Sequence, residues 1–227
     1  MHGTPVVEEL TQEELDRQIA LYGPLAEVVR GLVDASIRTE AESEVVREVT
    51  DALRVQLDRL RASQSEEPFG IRWTTLGKRR AWGNAVMGLR NPIAPPVNLQ
   101  ADADGRVWAD FELGAAYEGP HHIAHGGVSA LILDQVLGAA AEVGNAPGMT
   151  ATLTVRYLRA TPLGALRAEA RMDRVEGVKT YVTGHISSDG DVCVEAEAVF
   201  ILPTKVRALF EERRRVLNYD PTTLPNV

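Results

Sequence analysis

The sequence predicts an α+β fold in which an antiparallel sheet wraps one long central helix, preceded by a helical extension. Three patterns lead to this prediction. Apolar residues recur at helical spacing over residues 11–60, a very apolar segment follows His125, and four segments of alternating polarity come after it. A helix that is apolar on nearly all faces is expected to be covered by the surrounding strands.

The extension is predicted to hold two helices. Thr11 and Glu14 have the spacing of a capping box, which marks a helix start. Gly23-Pro24 is expected to break this first helix. Thr39 and Glu42 repeat the capping-box spacing and predict the start of the second helix.

The second predicted helix carries an apolar stripe on a charged surface. The stripe consists of Val45, Val46, Val49, Leu53, Leu57 and Leu60. Because a helix of this length is marginal unless it packs, we expect the stripe to lie against the folded domain or a partner subunit. The polar segment 62–68 predicts a linker.

Beyond the linker the apolar period becomes that of strands. Alternation over residues 107–113 predicts a half-buried strand, and Asp104-Gly105 predicts a hairpin turn with 95–101 as its partner. Tight turns are expected at Glu176-Gly177 and Asp189-Gly190. The remaining strands are predicted at 150–159, 166–175, 178–187 and 192–202. The predicted domains are 1–66 for the extension, 67–207 for the sheet domain and 208–227 for a C-terminal tail.

The central helix is predicted to start at HGGVSALILD, residues 125–134, and to end near Gly144-Asn145. Asp134 lies in this apolar run, where a buried carboxylate costs several kcal/mol unless it is paired, hydrogen-bonded or protonated. It is therefore either a structural or a catalytic carboxylate. Gly126 and Gly127 allow a ligand to approach the N–H groups of the helix start, which can hold an oxyanion. Glycine pairs also form simple turns.

Several motifs together resemble the hotdog-fold acyl-CoA thioesterases, in the PaaI-like branch related to phenylacetic acid degradation and in the thioesterase superfamily member 4 group. The motifs are Asn91-Pro92, Asp104-Gly105, Tyr117 to Pro120, His125 to Gly127, Asp134 and Met149 to Ala151. The resemblance implies a hotdog fold and hydrolysis of an acyl-CoA thioester, with no metal or organic cofactor. Coenzyme A would be part of the substrate, and an acyl-carrier-protein thioester is the alternative.

The resemblance also implies roles for single residues. Asp134 would act as general base on water or as nucleophile on the thioester. The Gly127 N–H would polarise the thioester carbonyl, His125 would shape the glycine turn, and Thr150 would hold the attacking water. His121-His122 departs from many relatives and leaves the shape of the substrate pocket open.

Further substrate contacts are predicted at Gly126, His122, Arg156 and Arg159. The two arginines could meet the phosphates of coenzyme A, or they could be outward-facing strand residues.

Histidines near the turn raise the alternative of a metal site. His121, His122 and His125 together with Glu118 offer ligands that suit zinc. No later ligand pair follows in the sequence, and His125 is assigned to the turn, so no metal is expected.

Spacing along the central helix predicts a dimer. Gly127 and Asp134 are seven residues apart, which is about 10 Å along a straight helix. One acyl carbonyl cannot contact both groups. They can act together only if a second subunit supplies one of them, which predicts a twofold homodimer, or a dimer of dimers, with sites at the interface.

Composition argues against several function classes. A net charge of −8 disfavours nucleic-acid binding, and the basic runs Lys78–Arg80 and Arg213–Arg215 are expected on solvated faces. Cys193 is the only cysteine, so no intrachain disulfide can form. The acidic N-terminus lacks signal-peptide features and no apolar run approaches a membrane span, so a cytoplasmic protein is expected.

Two further function classes compete with the hydrolase. A non-catalytic acyl-CoA binding or sensing protein could use the same cleft, but Asp134 favours the enzyme because binding alone gains nothing from a costly charge. A hydratase of this fold would need a close Asp and His in one loop-helix unit, and none is apparent.

Overall fold

A computed structural model of the chain describes residues 6–95, 97–203 and 224. The described helices are α1 (Gln12–Arg38), α2 (Ser43–Arg61) and α3 (Gly126–Val143), and a 3₁₀ turn spans Ala115–Tyr117. The strands of a small sheet are β1 (Val6–Glu8), β2 (Arg72–Thr74) and β3 (Arg79–Arg80). The strands of the large sheet are β4 (Gln100–Ala101), β5 (Arg106–Leu113), β6 (Met149–Tyr157), β7 (Gly164–Glu176), β8 (Lys179–Ser188) and β9 (Asp191–Ile201).

The large sheet is antiparallel and has the strand order β4-β5-β7-β8-β9-β6. Helix α3 packs against β5, β6, β7, β8 and β9. Its side chains Ile132, Leu133, Val136 and Leu137 are fully buried in the core between helix and sheet. The predicted α+β layout is confirmed, and β6 to β9 begin and end within two residues of their predicted bounds.

The predicted partner strand of β5 is mostly absent. Only Gln100–Ala101 pairs with β5, whereas the prediction was a strand over 95–101. Pro95 has no N–H to donate to a ladder, which disfavours a strand there. Val97 and Leu99 instead bury their side chains in the core.

Helix α1 is continuous through Gly23-Pro24, so the predicted break is wrong. Leu15 and Ala26 are buried on either side of the proline. Tertiary packing therefore holds the two halves in line and offsets the helix bond that Pro24 cannot make.

The two predicted capping boxes have different outcomes. The box of Thr11 and Glu14 is present in both directions at the start of α1. The second is wrong: Thr39 caps the end of α1, and its hydroxyl accepts a hydrogen bond from the Ala41 N–H. Glu42 precedes α2 without a side-chain cap.

No other helix or strand of the described chain packs extensively against helix α2. None of its residues is buried, and its apolar stripe is exposed. The expectation that the stripe docks on the folded domain of its own chain is therefore wrong. Docking on a partner subunit stays a prediction.

Two of the basic residues expected on solvated faces are held in ion pairs. Arg79 donates to Glu142 of α3 at 2.9 Å, and the largely buried Arg80 pairs with Glu8 and donates to Gln18 at 2.6 Å. Of that run only Lys78 is exposed. These pairs connect the small sheet to both α1 and α3. The run Arg213–Arg215 lies outside the described residues.

Helix α3 is long and apolar enough to cross a membrane by length and composition alone, which the sequence analysis did not anticipate. Half of the helix is buried inside the fold. The sheet that covers it identifies it as a core helix, for which the same length and composition are common.

Gly184 allows α3 to approach the sheet. A Cβ at this position would lie 2.6 Å from the Glu169 carbonyl oxygen and 3.1 Å from Leu137 of α3. We expect Gly184→Ala to lower the free energy of unfolding by about 1–3 kcal/mol because the core would be overpacked. Urea unfolding followed by circular dichroism measures this change.

Gly31→Ala on α1 is the matched control, because a Cβ there would meet no atom within 4 Å. This control is expected to leave stability unchanged or to raise it by up to about 1 kcal/mol. If both variants unfold at the wild-type urea concentration, close packing at Gly184 is not required.

Candidate active site

The glycine turn forms the start of α3. His125 is the N-cap residue, and its Nδ1 accepts a hydrogen bond from the Gly127 N–H at 3.0 Å. The predicted role of His125 in shaping the turn agrees with this contact. The Gly127 N–H is thereby occupied, whereas the Gly126 N–H has no acceptor among the described residues.

Both glycines lie in close contact with neighbouring side chains, which would have to shift slightly to accept a Cβ atom. A Cβ on Gly126 would lie 3.2 Å from the ring of Tyr157, and one on Gly127 would lie 3.1 Å from His125 Nδ1. The Tyr157 hydroxyl donates to the Gly126 carbonyl at 2.7 Å and ties the turn to β6. Sequence reasoning missed Tyr157, because an aromatic residue in a strand carries no specific signal.

Asp134 and Thr150, which the sequence analysis placed in one site, are in contact. The Thr150 hydroxyl donates to Asp134 Oδ1 at 2.8 Å. Asp134 is half-buried, although its apolar neighbours suggested a buried carboxylate. No described residue donates to its second oxygen, Oδ2, which leaves that atom available to a water molecule.

A β-bulge aims Thr150 at the helix. The pairing of β6 with β9 shifts register between Thr150 and Thr152. Leu153 and Val155, further along β6, pack against the core. Residues three apart point to opposite faces of a regular strand, so the extra residue of the bulge allows both Thr150 and Leu153 to face α3.

One face of α3 is left uncovered by the described residues. Gly127, Leu131 and Asp134 follow one another at helical spacing on this face, and Leu131 is 41% exposed. The adjacent strand β6 is an edge of the large sheet, and Met149 and Thr150 on it are exposed. The face that carries the candidate site therefore opens toward an unpaired sheet edge.

The loop before the glycine turn is held by its own backbone. The His125 N–H donates to the Tyr117 carbonyl at 2.9 Å, and Gly119 and Ile123 form a turn. The His122 N–H donates to Glu118 Oε1 at 2.7 Å, and His122 has a φ of 60°, in the left-handed region. The backbone of His122 is thus fixed in the loop that precedes the glycine turn.

Ligand atoms of Glu118, His121 and His122 lie within 4.8 Å of one another. All three side chains are exposed, and such groups are common on protein surfaces without a metal. His125, the fourth candidate ligand, is occupied by the glycine turn. The expectation that no metal is bound stays a prediction.

Helix α1 supports the same loop, which sequence reasoning did not foresee. Arg30 of α1 interacts with the half-buried Tyr117, whose hydroxyl donates to the Ile93 carbonyl at 3.3 Å. Burial raises the pKa of the Tyr117 hydroxyl, and Arg30 opposes this shift. The extension is therefore packed against the loop that positions the candidate site.

The two predicted phosphate-binding arginines are not brought to Asp134. Arg156 lies on the outer face of the sheet, 3.7 Å from Glu195, in a groove of about 580 Å³. Arg159 follows β6 and pairs with Asp191 at 2.8 Å. Both are paired with carboxylates, so a phosphate would have to compete for them.

Comparisons with known proteins identify relatives of this chain. A family model described as the thioesterase superfamily matches residues 121–195, which include the glycine turn, Asp134 and Thr150. Acyl-coenzyme A thioesterase THEM4 of Xenopus laevis is 35% identical over 102 residues, which are 44% of this chain and 46% of that protein. The chain thus spans about half the length of this relative.

One solved structure extends the likeness over most of the chain. The crystal structure of a thioesterase superfamily protein matches with a TM-score of 0.72 and 32% identity, covering 88% of this chain and all of that chain. A phenylacetic acid degradation-related protein of Ralstonia eutropha is 26% identical over 47% of this chain and 85% of its own, with a TM-score of 0.43. On the strength of the first match, the chain has the hotdog fold and belongs to the thioesterase superfamily.

Proposed function

We propose that the protein hydrolyses acyl-CoA thioesters, with Asp134 as the catalytic carboxylate and with each site shared between two subunits. The observation that carries this proposal is the contact of Asp134 with Thr150 on the uncovered face of α3 that begins at the glycine turn. Acyl-CoA is proposed as the substrate because the curated relative is named an acyl-coenzyme A thioesterase. The proposal includes the two expectations from the sequence that the enzyme is cytoplasmic and that it uses no cofactor.

Asp134 is suited to the role of general base. Its Oδ1 is fixed by the Thr150 hydroxyl, so Oδ2 can accept a proton from a water molecule beside it. A fixed carboxylate loses little freedom when the reaction begins. Direct attack of Asp134 on the thioester carbon is the alternative use of the same atom.

The glycine turn supplies the other half of the reaction. When water attacks the carbonyl carbon, negative charge develops on the carbonyl oxygen, and N–H groups at a helix start stabilise that charge. The Gly126 N–H is open, and the Gly127 N–H becomes available when the His125 ring releases it. The tetrahedral intermediate then expels the thiolate of coenzyme A, which takes up a proton.

Two features support a shared site. The turn and Asp134 are separated by seven residues of straight helix, or about 10 Å, so one thioester cannot reach both within a subunit. The face that joins them is exposed beside the free edge of β6. An antiparallel edge strand of a second copy would satisfy the free backbone groups of β6 and cover Leu131.

Removal of the Asp134 charge is expected to abolish catalysis and to spare the fold. Asp134→Asn should lower kcat/KM for the best acyl-CoA about a hundred-fold or more, as for a positioned acid–base group. Thr150→Val should lower it about ten-fold, because it removes one hydrogen bond to a charged group. Release of free thiol from a panel of acyl-CoAs of varied length and aromaticity measures both effects.

Thr154→Val and Asp110→Asn are the matched controls for these two substitutions. Thr154 lies on the outer face of the same strand, and Asp110 is an exposed strand carboxylate paired with Arg167. Both controls should retain wild-type rates. Near-normal turnover by Asp134→Asn on the best substrate would show that the catalytic assignment is wrong.

A shared site is expected to allow complementation between subunits. Gly127→Val places side-chain atoms against the His125 ring, and this variant and Asp134→Asn should each be nearly inactive alone. After subunit exchange, random mixing should restore up to about a quarter of wild-type activity, because each heterodimer contains one intact site. Native mass spectrometry verifies the exchange, and no recovery in exchanged samples would contradict the shared geometry.

A further inference from the structure

Helix α2 presents an apolar stripe that no described residue covers. Val46, Val49, Leu53, Leu57 and Leu60 are between 40% and 54% exposed on one side of the helix. The helix has 19 residues, so the stripe extends over about 20 Å. An apolar surface of this size on an amphipathic helix marks a site of association.

The spacing of the stripe is symmetric about Leu53. Val46 and Val49 precede Leu53 by seven and four residues, and Leu57 and Leu60 follow it by four and seven. An antiparallel copy of the same helix, related by a twofold axis at Leu53, would set Val46 against Leu60 and Val49 against Leu57. Smaller valines would thus meet larger leucines on both sides of Leu53, which favours close packing. Val45, the sixth residue of the stripe, lies to one side of this line of contacts.

The charges of α2 are also self-complementary in this orientation. The first half carries three carboxylates and one arginine, and the second half carries three arginines and one carboxylate. The carboxylates are Glu44, Glu48, Asp51 and Asp58, and the arginines are Arg47, Arg54, Arg59 and Arg61. An antiparallel pair sets the acidic half against the basic half, whereas a parallel pair sets like charge beside like.

The helical extension belongs to the fold that the chain shares with its relative. That structure covers 88% of the chain, whereas the segment 70–203 makes up only about three fifths of it, so the match reaches into the helices. The match therefore includes part of the helical extension, and the exposed stripe of α2 calls for a partner.

We propose that the apolar stripe of α2 is an interface with a second copy of this chain, in which two α2 helices pack antiparallel across a twofold axis at Leu53. The contact is isologous, because both subunits contribute the same surface, the apolar stripe of α2. It lies apart from Asp134 and does not rest on the proposed activity. The contact either adds to the dimer that shares the active site or joins two such dimers.

Single cysteines test the orientation directly. The native Cys193 is only 1% exposed and does not compete. Under mild oxidation of the full-length protein, Leu53→Cys should form a covalent dimer, because both copies of this residue lie at the axis. Val55→Cys, which is 57% exposed on the opposite side of α2, is the matched control and should remain monomeric on a non-reducing gel.

The register has its own test. Mixed Val46→Cys and Leu60→Cys subunits should cross-link with each other, and neither variant should cross-link with itself. Self-cross-linking of Val46→Cys would indicate a parallel pair and overturn the proposal. Equal cross-linking of Leu53→Cys and Val55→Cys would overturn it as well, because it would indicate random collision.

A charged residue at the axis tests whether the contact holds the assembly together. Leu53→Glu should lower the mass measured by light scattering or raise the dissociation constant at least ten-fold, whereas Val55→Glu should leave both unchanged. Each residue is exposed in the single chain, so neither change should affect folding, which circular dichroism verifies. A lower mass without a cross-link at Leu53→Cys would assign the stripe to another surface of the second copy. An unchanged mass together with an unchanged dissociation constant would show that no copy covers the stripe. Both results contradict the proposal.

Discussion

A straight, fully formed helix sets the main constraint on this molecule. Helix α3 begins at the glycine turn and carries Asp134 two turns later, so about 10 Å of rigid backbone separates the two groups that the chemistry needs. The sheet buries the rest of the helix and leaves uncovered the face that joins them. Under the proposed function each chain holds two half-sites, and the reaction becomes possible only when a second chain brings the complementary half.

The remaining elements fix these half-sites in place. A bulge in β6 turns Thr150 toward Asp134, and Tyr157 on the same strand holds the Gly126 carbonyl. In the loop before the turn, the Tyr117 carbonyl accepts a hydrogen bond from the His125 N–H. The Tyr117 side chain in turn interacts with Arg30 of α1. The first helix of the extension thus belongs to the support of the site, whereas α2 is free of it and is available for assembly.

Local patterns predicted the sheet and α3 because alternation and helical spacing are set by residues close in the sequence. The same patterns failed where distant contacts decide. Helix α1 continues through Gly23-Pro24 because residues before and after the proline are packed. Arg79 and Arg80 form ion pairs with residues more than sixty positions away in the sequence. The stripe of α2 was identified from the sequence, but a pattern cannot tell which surface covers it. Asp134 and Thr150 were paired through the family resemblance, since no local rule joins a helix residue to the next strand.

The shared site is tested most directly by a crystal structure of the protein with a non-hydrolysable ketone analogue of its best acyl-CoA substrate, in which a methylene group replaces the thioester sulfur. The account predicts that the carbonyl-equivalent oxygen lies within hydrogen-bonding distance of the glycine-turn N–H groups of one subunit. The carboxylate of Asp134 from the other subunit would then face the carbonyl carbon, through a water molecule or directly. An analogue that is held by the turn and by Asp134 of the same subunit, or one that is bound away from Asp134, would contradict it.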